Sequence, residues 1–257
     1  MRPKLEVLVS CMYQIDMSIV ERANISSSAV VVNQCDRDLY EEIAVGENRI
    51  RMFSCLDRGL SKSRNKALKE SAADICLLCD DDEHLEDDYV SKIQEAYEKY
   101  PDADIIAFRL ERSSRSYWTV PRRINYLNSL KISSCQISFK RNSIIGRGIF
   151  FDETFGAGTR YSFGEENIFL YECLKKGLKV YYLPIKIAFV ADEKSTWFNG
   201  FTTQYFFNRG VITRRYMGRF FAILYAIYFA VFKYSIYKSA TPFRTALGKM
   251  IEGVWRD

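Results

Sequence analysis

Asp-Ile-Cys-Leu-Leu-Cys-Asp-Asp-Asp-Glu-His-Leu-Glu-Asp-Asp, residues 74–88, is the stretch that decides the fold. Its apolar run, Ile75 to Cys79, stops at three consecutive carboxylates, Asp80, Asp81 and Asp82. A run of that length between polar residues predicts a buried strand. The carboxyl end of such a strand is where an open α/β sheet places ligands. Three adjacent carboxylates repel one another unless water or a cation screens them, and hard oxygen donors suit Mg2+ or Mn2+. The plain alternative is a solvated acidic loop in front of the helix that follows.

Working outward, the flanking sequence alternates. Strands are expected at 5–10, at 29–32 (closing on Asn33-Gln34-Cys35-Asp36) and at 50–53, with a helical stretch near 17–24. Asp57-Arg58-Gly59 then opens a helix at 60–71. A helix at about 87–100, a strand at 104–108, a strand at 136–140 and a short helical turn at 141–146 come after the acidic triplet. This order predicts βαβ units, and so a mostly parallel α/β sheet with helices on both faces. With 257 residues, 48% of them hydrophobic, the chain suits one large α/β domain with an appendage.

Composition narrows the chemistry. Met1-Arg2-Pro3-Lys4 runs straight into the first strand, so no secretory leader is expected. Seven cysteines without a disulfide-like framework suit a reducing cytosol. His84 is the single histidine, which argues against zinc, and Cys76 and Cys79 read as small strand residues. From Arg209 onward there are nine Lys/Arg and two Asp/Glu, whereas residues 1–208 hold 28 basic and 30 acidic residues. The whole basic surplus therefore lies in the tail. That pattern fits a neutral catalytic body and a tail seeking an anionic membrane surface, with no nucleic-acid partner.

The helix at 60–71 carries an anomaly. Leu60, Ala67 and Leu68 define its inward face and Lys62, Lys66 and Lys69 its solvent face, yet Arg64 projects among the apolar residues. An inward arginine needs an anionic or π partner to offset desolvation. That partner is either an internal salt bridge or the base or phosphate of a bound nucleotide.

Two later segments add to the site. Ser162-Phe-Gly-Glu165 has capping-box spacing, which gives Glu165 a structural role at a helix start. Glu166 shares a stripe with Phe169, Leu170 and Cys173, and a carboxylate turned inward there is either paired or an acid/base. Two last strands are expected within 178–190, and the polar stretch 109–135 reads as a loop-rich insertion. Ser195-Thr-Trp197-Phe-Asn-Gly200 offers aromatics on which an acceptor sugar could stack, or else an anchor for the next helix. A helix at about 202–216 leads into Phe220–Phe232, thirteen residues without charge, flanked by Arg214, Arg215, Arg219, Lys233 and Lys238. About twenty apolar residues are needed to span a bilayer, so an interfacial anchor fits better than a span.

Taken together, residues 5–200 resemble bacterial family-2 glycosyltransferases of the GT-A type, nearest to capsular and cell-surface polysaccharide enzymes. Four stretches carry the likeness, in order: the second strand ending at Asn33-Gln-Cys-Asp36; Arg58-Gly-Leu-Ser-Lys-Ser-Arg-Asn65; the acidic triplet; and Gly164-Glu-Glu166. The resemblance implies a GT-A, Rossmann-like domain over 1–200 and excludes the tail, for which charge and the apolar run predict a helical, membrane-associating extension over 201–257. It implies that Asp80 and Asp82 form the D-x-D pair, with Asp82 touching a Mn2+ or Mg2+ on the donor diphosphate and Asp81 beside them. Asp36 would contact the nucleotide base and Arg64 the base or phosphates. Glu166 matches the general base, where the family usually has Glu-Asp instead of Glu-Glu. Asn-Gln-Cys-Asp likewise stands where Asp-Asp-Gly-Ser is usual. The implied reaction is inverting transfer from a nucleotide sugar, UDP-linked by expectation, to a polyprenyl-diphosphate-linked glycan at the cytoplasmic membrane face. A sugar-phosphate nucleotidyltransferase and a non-catalytic binding protein are the rivals; the first usually shows a Gly-rich phosphate loop that residues 5–16 lack.

Overall fold

The run Ile75–Cys79 does become a buried central strand, in a computed structural model that describes residues 2–112, 116–190 and 198–256. The strands are β1 (Leu5–Met12), β2 (Ser28–Gln34), β3 (Leu39–Val45), β4 (Asn48–Cys55), β5 (Ile75–Asp80), β6 (Glu83–Leu85), β7 (Ile105–Glu111), β8 (Arg122–Arg123), β9 (Ile137–Lys140) and β10 (Val180–Val190). They form one sheet in the order β3-β4-β2-β1-β5-β9-β7-β10-β6, with β8 on β10. Helices α1 (Ile19–Arg22), α2 (Leu60–Glu70), α3 (Tyr89–Lys99), α4 (Tyr126–Ser129), α5 (Arg141–Ile145) and α6 (Glu165–Lys175) flank it.

β1, β2 and β5 are buried along almost their whole length because helices cover both faces. Val7 and Val9 of β1 pack with α1 and α3. Leu8 faces the other way, toward α2, α5 and α6. The β4-β2-β1-β5 half is parallel as expected. Beyond it the expectation of a mostly parallel sheet is corrected to a mixed one. β9 runs antiparallel between β5 and β7; among the described residues the connection from β7 holds only β8, the one-turn helix α4 and a 3-10 turn, short of the full crossover helix usual in parallel pairing. β3 was not foreseen. It is an exposed antiparallel edge carrying Glu41 and Glu42, charges that discourage edge-to-edge pairing. The two strands expected within 178–190 are one strand, β10, whose pairing with β7 slips after Tyr182, beside the N–H-less Pro184.

The C-terminal region comprises α7 (Thr203–Phe232), α8 (Tyr234–Tyr237) and α9 (Phe243–Trp255). α7 is not one rod. Gly218 breaks it at φ 77°, ψ 169°, backbone that essentially only glycine adopts. In a straight helix Arg209 and Tyr225 would stand about 24 Å apart. Instead Arg209 Nη1 donates to the Tyr225 hydroxyl at 2.9 Å, and its guanidinium lies 4.4 Å from the Phe229 ring centroid. Residues 203–217 and 219–232 are therefore the two limbs of a hairpin. α9 packs on the first limb so closely that a Cβ at Gly210 or Gly253 would meet backbone at 2.1 or 2.2 Å.

A Cβ at Gly218 would meet nothing within 4 Å, so a substitution there tests conformation alone. Gly218→Ala is expected to cost about 1–3 kcal/mol, read as a lower midpoint in thermal unfolding. An unchanged midpoint would argue against the hairpin.

Candidate active site

The acidic triplet splits by geometry. Asp80 ends β5 in register with Ser10 of β1, and β6 starts at Glu83, so Asp81 and Asp82 occupy a two-residue turn and are exposed. Partial burial and the charge of Asp80 both push the Asp81 and Asp82 carboxyls above the usual carboxylate range.

Asp80 is held from behind by Arg64. Nη2 of that guanidinium donates to Asp80 Oδ1 at 2.9 Å and Oδ2 at 3.2 Å, and Nη1 donates to Glu165 Oε1 at 2.8 Å. Arg64 is only 1% exposed, so the anionic partner demanded by its inward position is a pair of internal carboxylates. Those carboxylates hold its charge firmly in place against a large desolvation penalty.

The rest of α2 explains the motif around Arg64. Ser61 Oγ donates to Phe155 O at 2.7 Å, Ser63 Oγ to Ser10 Oγ at 2.9 Å, and Asn65 Nδ2 to Phe151 O at 2.9 Å. The helix start is fixed by Gly59 N–H donating to Gln34 Oε1 at 2.6 Å and Leu60 N–H to Ala157 O at 2.9 Å. Every buried polar side chain of this turn staples β1, β5 or the 150–164 loop to the helix. Spacing alone did not reveal that role.

Glu165 is the first residue of α6 and is buried against Arg64. The expected capping box at Ser162 is thereby corrected. The N-cap is Gly164, at φ 90° with no side-chain cap, and Glu165 reaches Arg64 instead of its own backbone. Glycine is required there twice over, since a Cβ would also lie 2.5 Å from Ile212 of α7. The inward stripe expected for Glu166 is corrected as well: Glu165 is the buried member of the pair and Glu166 is half-buried. Glu166 accepts from Asn167 Nδ2 at 2.7 Å, and its charge acts on the buried Tyr216 of α7.

Behind the triplet lies a trio that sequence reasoning missed. Cys135 Sγ donates to Asp80 Oδ2 at 3.1 Å, and Asp80 N–H donates to Glu83 Oε1 at 2.8 Å. Burial and the Asp80 charge push Glu83 well above the ordinary carboxyl range, and burial does the same for the Cys135 thiol. These three could converge on a metal. Yet Glu83 and Cys135 are buried with their carboxyl and thiol pushed upward, and Asp80 is engaged by Arg64, a poor donor set for a hard divalent ion. Asp82 fits such an ion better, as a carboxylate on the exposed turn beside Asp80 and Asp81.

Beyond the carboxyl ends of β2 and β4, Asp36 is exposed and ion-paired to Arg58, whose Nη1 also donates to Cys35 O and Leu56 O. The Arg58 guanidinium lies 5.5 Å from the Tyr13 ring centroid, giving a charged and aromatic rim beyond β1 and β2. His84 is a strand residue on the surface, facing Arg22 O at 2.9 Å. Trp197, the expected acceptor contact, lies outside the described residues.

With the geometry in hand, comparison with known proteins is informative. The family model described as "Glycosyl transferase family 2" matches residues 27–166, more than half of the chain. No curated protein matches. Among solved structures, residues 1–349 of S. aureus TarS match at a TM-score of 0.65 and 13% identity, over 98% of this chain and 81% of that one. The same TarS segment in complex with UDP-GlcNAc matches at 0.65 and 14% identity, and in complex with UDP at 0.63 and 14%, with the same coverages. At such identity the likeness speaks for the GT-A fold.

Arg64→Met leaves two carboxylates unpaired and is expected to cost about 3–5 kcal/mol in urea unfolding. Arg64→Met combined with Glu165→Leu should recover part of that loss through coupling. A single-variant cost below about 1 kcal/mol would refute the bridge as described.

Proposed function

Because the chain belongs to glycosyl transferase family 2, we propose that it moves a hexosyl or N-acetylhexosaminyl group, with inversion, from a UDP-sugar to a lipid-linked glycan. The product would serve cell-surface or capsular polysaccharide synthesis at the cytoplasmic face of the membrane. The observation that carries the reaction is the Arg64 bridge. One guanidinium ties the Asp80 end of β5 to the Glu165 start of α6, so that Asp82 and Glu166 stand two and one residues from its anchors. The UDP and UDP-GlcNAc complexes of TarS support a uridine donor.

In this reading Asp36, Arg58 and Tyr13 receive the nucleoside. Asp82, with Asp80 and Asp81 beside it, would hold Mn2+ or Mg2+, and a bound divalent ion supplies charge neutralisation for the departing diphosphate. Arg64 serves the donor site by fixing Asp80. Proton uptake at Glu165 would break its ion pair, so the base role falls to Glu166. The acceptor oxygen bonds to the anomeric carbon, the bond from that carbon to the diphosphate oxygen breaks, and the hydroxyl proton passes to the Glu166 carboxylate.

The membrane assignment rests on the second limb of α7. Phe220, Phe221, Leu224, Ile227, Val231 and Phe232 are exposed on it, Phe220 and Phe232 at 68% and 71%. With fourteen residues in the limb it is about 21 Å long, short of the bilayer core of roughly 30 Å. A limb lying in the interface, with Arg219 and Lys233 at its ends toward anionic headgroups, accounts for both its length and its exposure.

Glu166→Gln should lower transfer by about 10²–10⁴-fold with donor binding near normal, measured as nucleoside diphosphate release over a panel of nucleotide sugars. Full turnover in that variant would end the base assignment. Replacing Phe220, Phe221 and Phe232 by Ser should release the folded protein from phosphatidylglycerol vesicles in a sedimentation assay. Undiminished sedimentation would remove the anchor.

A further inference from the structure

A polar cavity that includes none of the acidic-turn residues lies beside the C-terminal helices. It encloses about 300 Å³ between the 155–164 loop, the first limb of α7 and α9. Arg160, Lys249 and Arg256 line it, together with Thr203, Gln204 and Tyr161. Three cations from two segments, the 155–164 loop and α9 with its C-terminal cap, meet a single carboxylate, Glu252, which pairs with Lys249 at 2.7 Å. Among the described residues neither Arg160 nor Arg256 has a carboxylate partner; Arg160 lies over the Tyr161 ring, 5.5 Å from its centroid. The first turn of α7 adds backbone donors. Thr202 Oγ1 accepts from Tyr205 N–H, and the N–H groups of Thr203 and Gln204 have no acceptor among the described residues.

Forked guanidiniums, an ammonium and open helix N–H groups in a concave site are the donors that phosphate oxygens require. We infer that this groove binds the diphosphate group of the acceptor, an inference that rests on the lipid-linked acceptor proposed above. Two structural links favour an acceptor over a free anion. The 155–164 loop that presents Arg160 and Tyr161 runs directly into Gly164, Glu165 and Glu166, so the groove is continuous in the chain with the proposed base. The limb that supplies Thr203 and Gln204 is bound through Arg209 and Tyr225 to the limb with the exposed apolar face. A prenyl chain attached to the diphosphate therefore has an apolar surface on the same hairpin.

The test is direct binding to the full chain, in chelator and without donor, by isothermal titration with inorganic pyrophosphate and with farnesyl diphosphate. Farnesyl diphosphate should bind more tightly than pyrophosphate. Both should weaken by about tenfold or more in Arg160→Gln/Arg256→Gln, which removes two charge-assisted donors. Glu252→Gln, which removes the one competing carboxylate, should instead tighten both, a gain that misfolding could not produce. Equal binding by wild type and the double variant would overturn the groove, and equal affinity for the two ligands would overturn its assignment to a lipid. The readout involves neither transfer nor metal. An active enzyme that fails it loses only this inference, whereas an inactive protein that passes it loses the proposed reaction.

Discussion

One guanidinium constrains this site. Arg64 is buried beneath the acidic turn with both of its terminal nitrogens, Nη1 and Nη2, committed to carboxylates from distant parts of the chain, Asp80 at the end of a strand and Glu165 at the start of a helix. A lone buried charge is prohibitively costly, and a pair is only as good as its geometry. The backbone on both sides therefore has to stay in register. Ser61, Ser63 and Asn65 provide that register by fixing the loop and strand around the bridge. What remains outside it, Asp81 and Asp82 in their turn and Glu166 on α6, is the part of the acidic set open to chemistry.

The C-terminal helices matter to this arrangement as well as to location. Ile212 packs where a side chain at position 164 would be, Arg215 pairs with Asp152 at 2.8 Å, and Tyr216 feels the charge of Glu166. The first limb of α7 thus braces the start of α6, while the second turns its aromatic face outward. The exposed apolar face of the second limb and the start of α6 are joined by one helical hairpin, with Gly218 as its corner.

Much of this was legible from local pattern. The apolar run into three aspartates places β5 and its turn, because burial and charge change within one residue. Arg64 stands out by its helical phase, which exposes the need for a partner without identifying it. Glu165 was misjudged because capping-box spacing is a local signal, whereas its partner lies 101 residues earlier in the chain. Glu83 and Cys135 left no signal, since their importance comes from β6 and β9 closing around Asp80. The antiparallel course of β9 was missed because it depends on the long irregular connection from β7, and the fold-back at Gly218 because one residue breaks an otherwise regular helical pattern. Asp36 was read correctly as a charge at a strand end, but its pairing with Arg58 appears only when β2 and β4 are side by side.

The most direct test of the account is a crystal structure of the chain with UDP and Mn2+. Arg64 should still bridge Asp80 and Glu165, with the ion on Asp82 and the uridine between Tyr13 and Asp36. A guanidinium that leaves Glu165 for the diphosphate, or an ion seated on Glu83 and Cys135, would contradict it.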